Sequence, residues 1–332
     1  MTKIIDTTNI CDAASCIASG GLVAFPTETV YGLGADAFND VAIDNIYKAK
    51  GRPSDNPLII HIADINDLYL LTDNVTDKAK SLINKFWPGP LTIIFKKKLN
   101  VPYRVTGGLD TVAVRFPSNP VAQELIRLSG KLIAAPSANL SGSPSPTTSK
   151  HVIDDLYGRV DFIIVSDGCE IGLESTVLDL TLDTPVVLRP GFITLDMIKE
   201  ILPDVVLDNG LINQDKAPKC PGMKYKHYSP KAEVEVVSGE KQNVRNYINS
   251  KLNLNQRCGV LTYRGGDYDN AVCVLSAGNT MEEYAAGLFY NLRVFDEYKV
   301  DKIYAEFCEE SGVGIAVKNR LYKAAGNNIT KV

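Results

Sequence analysis

The chain has 332 residues, of which 45% are hydrophobic and 22% are charged, and its formal net charge is −4. These proportions are typical of a globular protein and exclude an extended disordered chain. A dedicated nucleic-acid binder would be far more basic. The length exceeds what one hydrophobic core usually fills, so the sequence predicts two domains.

The apolar runs and the cysteines indicate the compartment. Every apolar run is far shorter than the roughly 20 residues that a membrane helix needs, and the first residues do not form a signal peptide. The seven cysteines fall singly, which is typical of reduced thiols rather than of disulfides or a zinc site. We therefore expect a cytoplasmic protein with no membrane partner.

In chain order, hydrophobic periodicity and cap residues predict alternating helices and strands. The predicted helices of the first two thirds cover residues 7–21, 40–51, 76–89, 119–130, 147–158 and 195–202. The predicted strands cover residues 22–27, 57–63, 91–98, 111–117, 131–139, 161–168, 175–181 and 185–191. Because helices and strands are mixed along the chain, we expect an α/β (α+β mixed-sheet) fold, with a large twisted mixed sheet and flanking helices.

Residues 204–232 interrupt this pattern. They show no sustained periodicity and contain three prolines and two glycines, and an irregular segment of this length is either a linker or a functional cover. Beyond it, strands and helices alternate again, which predicts a small Rossmann-like α/β domain. The predicted organisation is a first domain at 1–205, a linker or lid at 206–232 and a second domain at 233–332.

Cations lie next to two predicted strands. Lys50, Arg52 and Asn56 stand between a helix and the strand PLIIHI, where cations either serve an anionic ligand or form a solvated basic surface. Arg115 interrupts the apolar strand VAVRFP. An arginine is rarely buried without a partner, and its planar fork suits a carboxylate or a phosphate.

Loops rich in hydroxyl groups follow other strands. PTETVYGLG contains Thr29 and two glycines that would let the backbone approach a ligand, although an ordinary turn has the same composition. APSANLSGSPSP contains several such residues, and loops of this kind are phosphate cradles or plain solvated turns. ESTVLDL and VVLRPG add Ser175 and Arg189.

Together these clusters predict one pocket for an anionic ligand of nucleotide size. No G-x-x-x-x-G-K-[ST] loop is present in the sequence, which excludes a P-loop. His61 is also compatible with a satisfied core histidine, and Tyr228 with a packing anchor. Aspartates are sparse in the clusters, so we predict no metal site in the protein, and any Mg²⁺ would be carried on ligand phosphates.

Five stretches occur in a characteristic order and spacing: FPTETVYGLG, KAKGRPSDNPL, RFP, PSANLSGSPSPT and ESTVLDL. They resemble the YrdC-like family of threonylcarbamoyl-AMP synthases. PGMKYKHYSP and VGIAVKNRLYKAA look like the linker and C-terminal part of its long, two-domain form. The family's K-x-R and S-x-N pairs are intact. Cys169 stands where the family usually has a glycine, in a loop where it puts little of the chemistry in doubt.

The resemblance implies that L-threonine, bicarbonate (or CO₂) and ATP give threonylcarbamoyl-AMP and pyrophosphate, the first step of threonylcarbamoyladenosine formation in tRNA. It implies Lys50 and Arg52 as catalytic cations. The implied threonine-binding residues are Thr29, His61, Arg115, Ala135 (through its backbone) and Ser175. The implied ATP-binding residues are Arg52, Asn56, Thr111, Ser137, Asn139, Ser145, Arg189 and Tyr228.

The resemblance also implies partners and a role for the linker. The product would pass to a tRNA threonylcarbamoyl transferase complex, and tRNA itself would make at most a weak contact. The linker would lay Tyr228 over the nucleotide as a lid, which would protect a carbamate that water destroys readily.

Three other functions stay open at this point. One is a module that binds tRNA or double-stranded RNA, although the near-neutral first half argues against it. Another is a nucleotide-sensing regulator of the same fold without synthesis. The third is a carbamoyltransferase of the hydrogenase-maturation type, but the cysteine pairs of its zinc fingers are absent from the sequence.

Overall fold

The computed structural model describes residues 1–208, 228–252 and 256–332. The chain divides into two compact units. The first unit consists of Met1–Ser141, Pro146–Glu170 and residues 174–208 of the described chain. The second unit consists of Gly142–Ser145, Ile171–Leu173 and the described residues from Tyr228 onward. The domain bounds stay predictions, and most of the predicted linker at 206–232 lies outside the described residues.

The described strands of the first unit form one mixed sheet. In chain order they are β1 (Lys3–Ile5), β2 (Val23–Phe25), β3 (Gly32–Asp36), β4 (Ile59–His61), β5 (Leu91–Lys96), β6 (Thr111–Arg115), β7 (Ile133–Ala134), β8 (Phe162–Ile164), β9 (Thr176–Asp179), β10 (Val186–Arg189) and β11 (Val206–Leu207). Their order across the sheet is β1-β8-β2-β3-β7-β4-β6-β5-β9-β10-β11. β4 pairs with β6 in parallel, whereas β5 pairs with β6 antiparallel. The large mixed sheet is thus confirmed.

Helices flank this sheet, as predicted. They are α1 (Ile10–Ala18), α2 (Asp40–Lys50), α3 (Leu68–Leu71), α4 (Asp77–Phe86), α5 (Tyr103–Thr106), α6 (Pro120–Ser129), α7 (Ser149–Leu156) and α8 (Leu195–Lys199). The bounds of α2 matter for the site. Asn39 caps its start by accepting hydrogen bonds from the backbone N–H groups of Val41 and Ala42, and Gly51 ends it at a φ of 62°. Lys50 is therefore held at the last helical position.

The central strands carry two separate apolar clusters. The main core includes Ile60, Ile93, Val114 and Leu178. A smaller cluster, which we call the apolar floor, contains one neighbour in sequence of each of these residues and Leu188 of β10. Its members are Ile59, Ile94, Ala113, Val177 and Leu188. Because side chains alternate along a strand, the apolar floor lies on the opposite face of β4, β5, β6 and β9.

Packing accounts for one of the two glycines of PTETVYGLG. Gly32 and Gly34 lie inside β3, a strand that the sequence pattern did not predict. A Cβ atom on Gly34 would lie 2.7 Å from Ile133 Cγ2 and 2.8 Å from Phe25 Cε1. These distances are too short for any side chain, so the neighbouring core residues require a glycine here.

The second unit contains a parallel sheet. Its described strands are β12 (Glu233–Ser238), β13 (Cys258–Thr262), β14 (Cys273–Ser276), β15 (Lys302–Phe307) and β16 (Ile329–Lys331), in the order β14-β13-β15-β12-β16. Its helices are α9 (Lys241–Lys251), α10 (Met281–Glu297) and α11 (Gly314–Ala324). Every recorded pairing is parallel. This confirms the predicted small Rossmann-like α/β unit. Across both units, none of the helices that the structure describes is long and apolar enough to cross a membrane.

We predict that Gly34→Ala destabilises the first unit, because the new methyl group overlaps Phe25 and Ile133. Overpacking of this kind costs about 1–3 kcal/mol and should lower the Tm measured by differential scanning calorimetry. Gly287→Ala in α10 is the control, since its nearest neighbour is the Asn291 amide at 3.3 Å and alanine favours a helix by up to about 1 kcal/mol. Gly34→Ala melting like the wild type would contradict the packing role.

Candidate active site

A row of registered residues crosses one face of the large sheet. His61 of β4 pairs with Arg115 of β6, Arg115 pairs with Thr92 of β5, and Thr92 pairs with Val177 of β9. Registered residues share a face, so the row extends about 14 Å across four strands. It lies on the face that carries the apolar floor. The sheet register thus places one cation and two polar side chains beside an apolar surface.

Arg115 is buried and forms an ion pair with Glu28. Its Nη2 lies 2.7 Å from Glu28 Oε1, and its Nη1 donates a hydrogen bond of 2.9 Å to Thr29 Oγ1. Burial by itself would raise the pKa of Glu28. The charge of Arg115 and its hydrogen bond outweigh burial and hold the pKa below its usual range. The Glu28 carboxyl is therefore negatively charged at neutral pH.

A compact turn fixes Glu28 and Thr29. Thr27 Oγ1 accepts a hydrogen bond from the backbone N–H of Thr29 at 3.1 Å and donates to the carbonyl of Val30 at 2.6 Å. The hydroxyl oxygens of Thr27 and Thr29 lie 2.9 Å apart. Bonds between such near neighbours are typical of a hydroxyl-stabilised turn. This turn presents an acid and a hydroxyl to Arg115.

His61 is a neutral imidazole. Its Nδ1 lies 3.1 Å from the carbonyl oxygen of Ile59. Burial and the nearby charge of Arg115 lower the pKa of His61 to about 3. Since a carbonyl only accepts, Nδ1 carries the proton and Nε2 is left as an acceptor. His61 can therefore accept a hydrogen bond from a hydroxyl group without adding charge.

Ser175 and Arg189 continue the site on the other side of Arg115. The hydroxyl oxygen of Ser175 lies 2.7 Å from Thr92 Oγ1. Arg189 donates to the carbonyl of Ser175 at 3.0 Å and to its hydroxyl at 3.1 Å. Arg189 is 5% exposed, so β10 adds a second buried guanidinium close to the row.

Lys50 connects the end of α2 to the loop after β7. Its Nζ donates to the carbonyls of Ser137 and Asn139, at 2.5 and 2.6 Å, and lies 3.3 Å from Asn139 Oδ1. The Ser137 hydroxyl donates to the same Oδ1 at 2.6 Å. Lys50 is only 3% exposed. Lys50 of the K-x-R pair therefore meets both residues of the S-x-N pair and places a buried positive charge against the loop.

Asn56 and Arg52 lie between α2 and β4. Asn56 is fully buried, and neither its Oδ1 nor its Nδ2 forms a hydrogen bond within the described part of the chain. A buried amide in this state is uncommon in folded proteins. Arg52 lines a cleft of about 370 Å³ together with Asp44, Tyr47, Lys48, Gly51, Ser54 and Arg104. Asn56 thus retains its hydrogen-bonding capacity close to a cationic cleft.

Two of the predicted threonine residues and two of the predicted ATP residues lie at opposite ends of the pair β4/β6, whereas Arg189 and Ser175 are in direct contact. Arg115 and His61 lie at the carboxyl ends of these parallel strands. Thr111 begins β6 and Asn56 precedes β4, so both lie toward the amino ends. The four residue-to-residue steps from Thr111 to Arg115 span about 13 Å. Ala135 lies between the two groups, since its N–H donates to the carbonyl of Ile59 at 2.9 Å.

Comparisons with known proteins place this site in a family. Residues 15–191 match the model of the Sua5, YciO and YrdC proteins, described as "Telomere recombination". Residues 193–326 match "Threonylcarbamoyl-AMP synthase, C-terminal domain". The threonylcarbamoyl-AMP synthase of Pyrococcus abyssi is 48% identical over 325 residues, which cover 96% of this chain and 95% of that protein. The enzyme of that name from Bacillus subtilis is 49% identical, over 97% of this chain and 94% of its own. The chain belongs to the threonylcarbamoyl-AMP synthase family.

Two solved structures show how far this family fold extends. Pyrococcus abyssi Sua5 complexed with L-threonine matches with a TM-score of 0.95 and 45% identity, over 100% of both chains. Escherichia coli YciO matches with a TM-score of 0.53 and 30% identity, over 57% of this chain and 96% of its own. The predicted long, two-domain form of the family is therefore confirmed.

Most of the site residues that the family resemblance implies lie in the first unit, but two do not. Ser145 and Tyr228 belong to the second unit. There, Tyr228 is buried and its ring stacks on Phe289 at a centroid distance of 5.0 Å. This arrangement fits a packing anchor. The ATP contacts of Ser145 and Tyr228 stay predictions. The lid also stays a prediction, and its residues 209–227 lie outside the described ranges.

Sequence reasoning missed Glu28 and Thr92. Thr92 had a usable signal, because it is the single polar residue near the start of the strand LTIIF, as Arg115 is in its own strand. Glu28 lies inside a motif of the family, between Thr27 and Thr29, and only the hydroxyl groups and glycines of that motif were considered as ligand contacts. Cys169 also lies closer to the site than predicted. Burial raises the pKa of its thiol to about 12, and it interacts with the backbone of Thr27 and with Glu28.

The lowered pKa of His61 predicts a pH-dependent stability. Unfolded histidine binds a proton near pH 6.5, whereas folded His61 stays neutral down to about 3. The unfolded state therefore gains protons first, and the free energy of unfolding should fall as the pH drops below about 6.5, by up to about 1.4 kcal/mol per pH unit. Urea unfolding between pH 7 and 5 measures this slope. His61→Gln should flatten it, and a slope equal to that of the wild type would contradict a neutral His61.

Proposed function

We propose that this protein makes threonylcarbamoyl-AMP and pyrophosphate from L-threonine, bicarbonate (or CO₂) and ATP. The observation that carries the proposal is the identity of 48–49% to threonylcarbamoyl-AMP synthases over nearly the whole chain. The geometry supports it, because one buried guanidinium and one cationic cleft lie at opposite ends of the same strand pair.

The threonine end is built around Arg115. We propose that Arg115 binds the carboxylate and that Ser175 and the backbone of Ala135 complete the contact. The β-hydroxyl of threonine would donate to His61 Nε2 and approach Thr29, since the neutral imidazole offers an acceptor. A structure of the Pyrococcus abyssi relative in complex with L-threonine supports threonine as the ligand.

The nucleotide end is built around the residues that follow α2. ATP would contact Arg52, Asn56, Thr111, Ser137, Asn139 and Arg189, and the family resemblance adds Ser145 and Tyr228 as further proposed contacts. The unsatisfied amide of Asn56 supports a polar ligand there. Lys50 keeps the Ser137–Asn139 loop in place and adds positive charge, and Arg52 would stabilise the charge that develops on pyrophosphate.

The chemistry joins the two ends. The threonine amine is carboxylated to a carbamate, and a carbamate oxygen then attacks the α-phosphorus of ATP while pyrophosphate leaves. Two anions must meet, so the buried cations offset their repulsion, and the fixed sheet orients the reactants. No cluster of three or more metal-ligating side chains occurs in the described ranges. We therefore propose that Mg²⁺, where it takes part, is held by the phosphates.

Partners and location follow from this reaction. The product carries an activated acyl group, and we propose that a tRNA threonylcarbamoyl transferase complex uses it, with only weak direct tRNA contact. A cytoplasmic location is consistent with tRNA as the final acceptor. It is also supported by the six cysteines of the described residues, which are all free thiols.

Pyrophosphate release from ATP tests the function directly. We expect it to require L-threonine and bicarbonate together, because the carbamate is the nucleophile. Each substrate is omitted in turn, and serine replaces threonine as a control for the β-methyl contact. ATP binding without pyrophosphate release would favour the nucleotide-sensing module, and equal turnover without any amino acid would refute the synthase.

Arg52→Ala should lower kcat by about 100-fold or more, because a cation acting on the leaving group stabilises the transition state. The KM for threonine should stay within about threefold of the wild-type value. Arg104→Ala is the matched control, since Arg104 lines the same cleft but pairs with Asp44 at the surface. An unchanged kcat with only a raised KM for ATP would show that Arg52 serves ground-state binding.

A further inference from the structure

Glu28 is the buried carboxylate in direct contact with Arg115, and neither group is fully satisfied. Their closest atoms are 2.7 Å apart. Beyond this ion pair and the interactions of the carboxylate with the backbones of Glu28 and Ser118, neither Glu28 oxygen, nor Arg115 Nε or Nη2, has a further hydrogen-bond partner within the described part of the chain. Both side chains are at most 6% exposed. Buried ionised groups normally saturate their hydrogen bonds, because leaving them unmade is costly. The pair therefore keeps unused hydrogen-bonding capacity of both signs at one place.

An α-amino acid has the complementary charges. Its carboxylate and ammonium groups sit on one carbon atom, so they are about as close together as the charged atoms of the buried pair. If Arg115 binds the carboxylate, the ammonium group needs an acceptor on the same side. His61 and Thr29 beside it carry no charge, whereas Glu28 carries a full negative charge.

The reaction adds a second requirement. An ammonium group has no lone pair and cannot attack carbon, so threonine must lose a proton before it is carboxylated. A base in contact with the ammonium group provides this step most directly. His61 is unsuited, because its Nδ1 lies against the carbonyl of Ile59 and its Nε2 is assigned above to the β-hydroxyl of threonine. Binding of the substrate carboxylate also shares the charge of Arg115, which makes Glu28 more basic when it is needed.

We propose, resting on the function given above, that Glu28 binds the ammonium group of the amino-acid substrate and accepts one of its protons. The remaining neutral amine attacks the carbon of bicarbonate. A nitrogen–carbon bond forms and a carbon–oxygen bond breaks. The departing hydroxide takes the second amine proton and leaves as water, so the amine and bicarbonate become carbamate and water. Glu28 returns its proton to solvent after the product leaves.

The test compares two ligands that differ only at the ammonium group. L-Threonine and its 2-hydroxy analogue, (2S,3R)-2,3-dihydroxybutanoate, share the carboxylate and the β-hydroxyl. Isothermal titration calorimetry measures both. The wild type should prefer threonine by at least about 10-fold, since a hydrogen bond to a charged group is lost in the analogue. Equal wild-type affinities would overturn the proposal without any variant.

Variants then separate binding from positioning. Glu28→Gln should lower threonine affinity by about 30-fold while the analogue changes little. Arg115→Lys should weaken both ligands, because both use the carboxylate contact. Glu235→Gln is the control for loss of a buried ion pair, since Glu235 lies 2.7 Å from Lys302 in the second unit; it should change neither affinity. Equal loss of both ligands in Glu28→Gln would mean that Glu28 only positions Arg115.

A pH series tests the proton transfer. Without Glu28 the variant depends on amine that has already lost its proton in solution, so the ratio of wild-type to Glu28→Gln kcat/KM should fall several-fold from pH 7 to 8.5. A constant ratio would overturn the transfer. Glu174 is another buried carboxylate and is next to Ser175 in the chain. If Glu174→Gln, rather than Glu28→Gln, lowers the affinity for threonine but not for the 2-hydroxy analogue, the assignment of Glu28 is also overturned. Threonine-dependent pyrophosphate release by the wild type reports the synthase separately, so these failures would leave that function standing.

Discussion

The site depends on burying cations in the large sheet without leaving them unpaired. Lys50, Arg115 and Arg189 are 3%, 4% and 5% exposed, and each is compensated in its own way. Lys50 uses backbone carbonyls, Arg115 uses a carboxylate, and Arg189 uses a carbonyl and a hydroxyl. Removing one partner of a buried charge typically costs about 3–5 kcal/mol. The turn at Thr27, the loop after β7 and the end of α2 are therefore tied to the strands that carry the cations.

This constraint explains how much of the site the sequence could predict. Arg115 was recognisable because a charge in an apolar strand has few structural uses, and Lys50 and Asn139 because the family motif contains them. The contact between Lys50 and the Ser137–Asn139 loop was not recognisable from composition, since 87 residues separate Lys50 from Ser137 in the chain. Glu28 was missed for a related reason. Its partner is distant in sequence, and only the folded arrangement of the turn after β2 and of β6 brings the two together.

The fold shows the same division between local and non-local information. The long strands and α2 follow from hydrophobic periodicity and from caps such as Asn39 and Gly51. β1, β11 and β16 escaped prediction, because they are short and few apolar residues surround them in the sequence. The strand predicted at 131–139 shortens to β7, where Pro136 follows closely and cannot donate to a sheet. The inclusion of Gly142–Ser145 in the second unit had no signal at all in the local sequence.

The apolar floor completes the physical account of the reaction. Ile59 and Ala113 lie one strand period before His61 and Arg115, between the amino and carboxyl ends of β4 and β6. A carbamate formed beside Arg115 and directed at a phosphate held near Asn56 would cross this surface. Apolar side chains offer it no competing hydrogen bonds, and the lower local dielectric strengthens its attraction to the flanking cations. The same surface disfavours water, which would otherwise destroy the carbamate. In the function proposed above, one strand pair would set the separation of the two substrates, the polarity of the path between them and the positions of the charges at its ends.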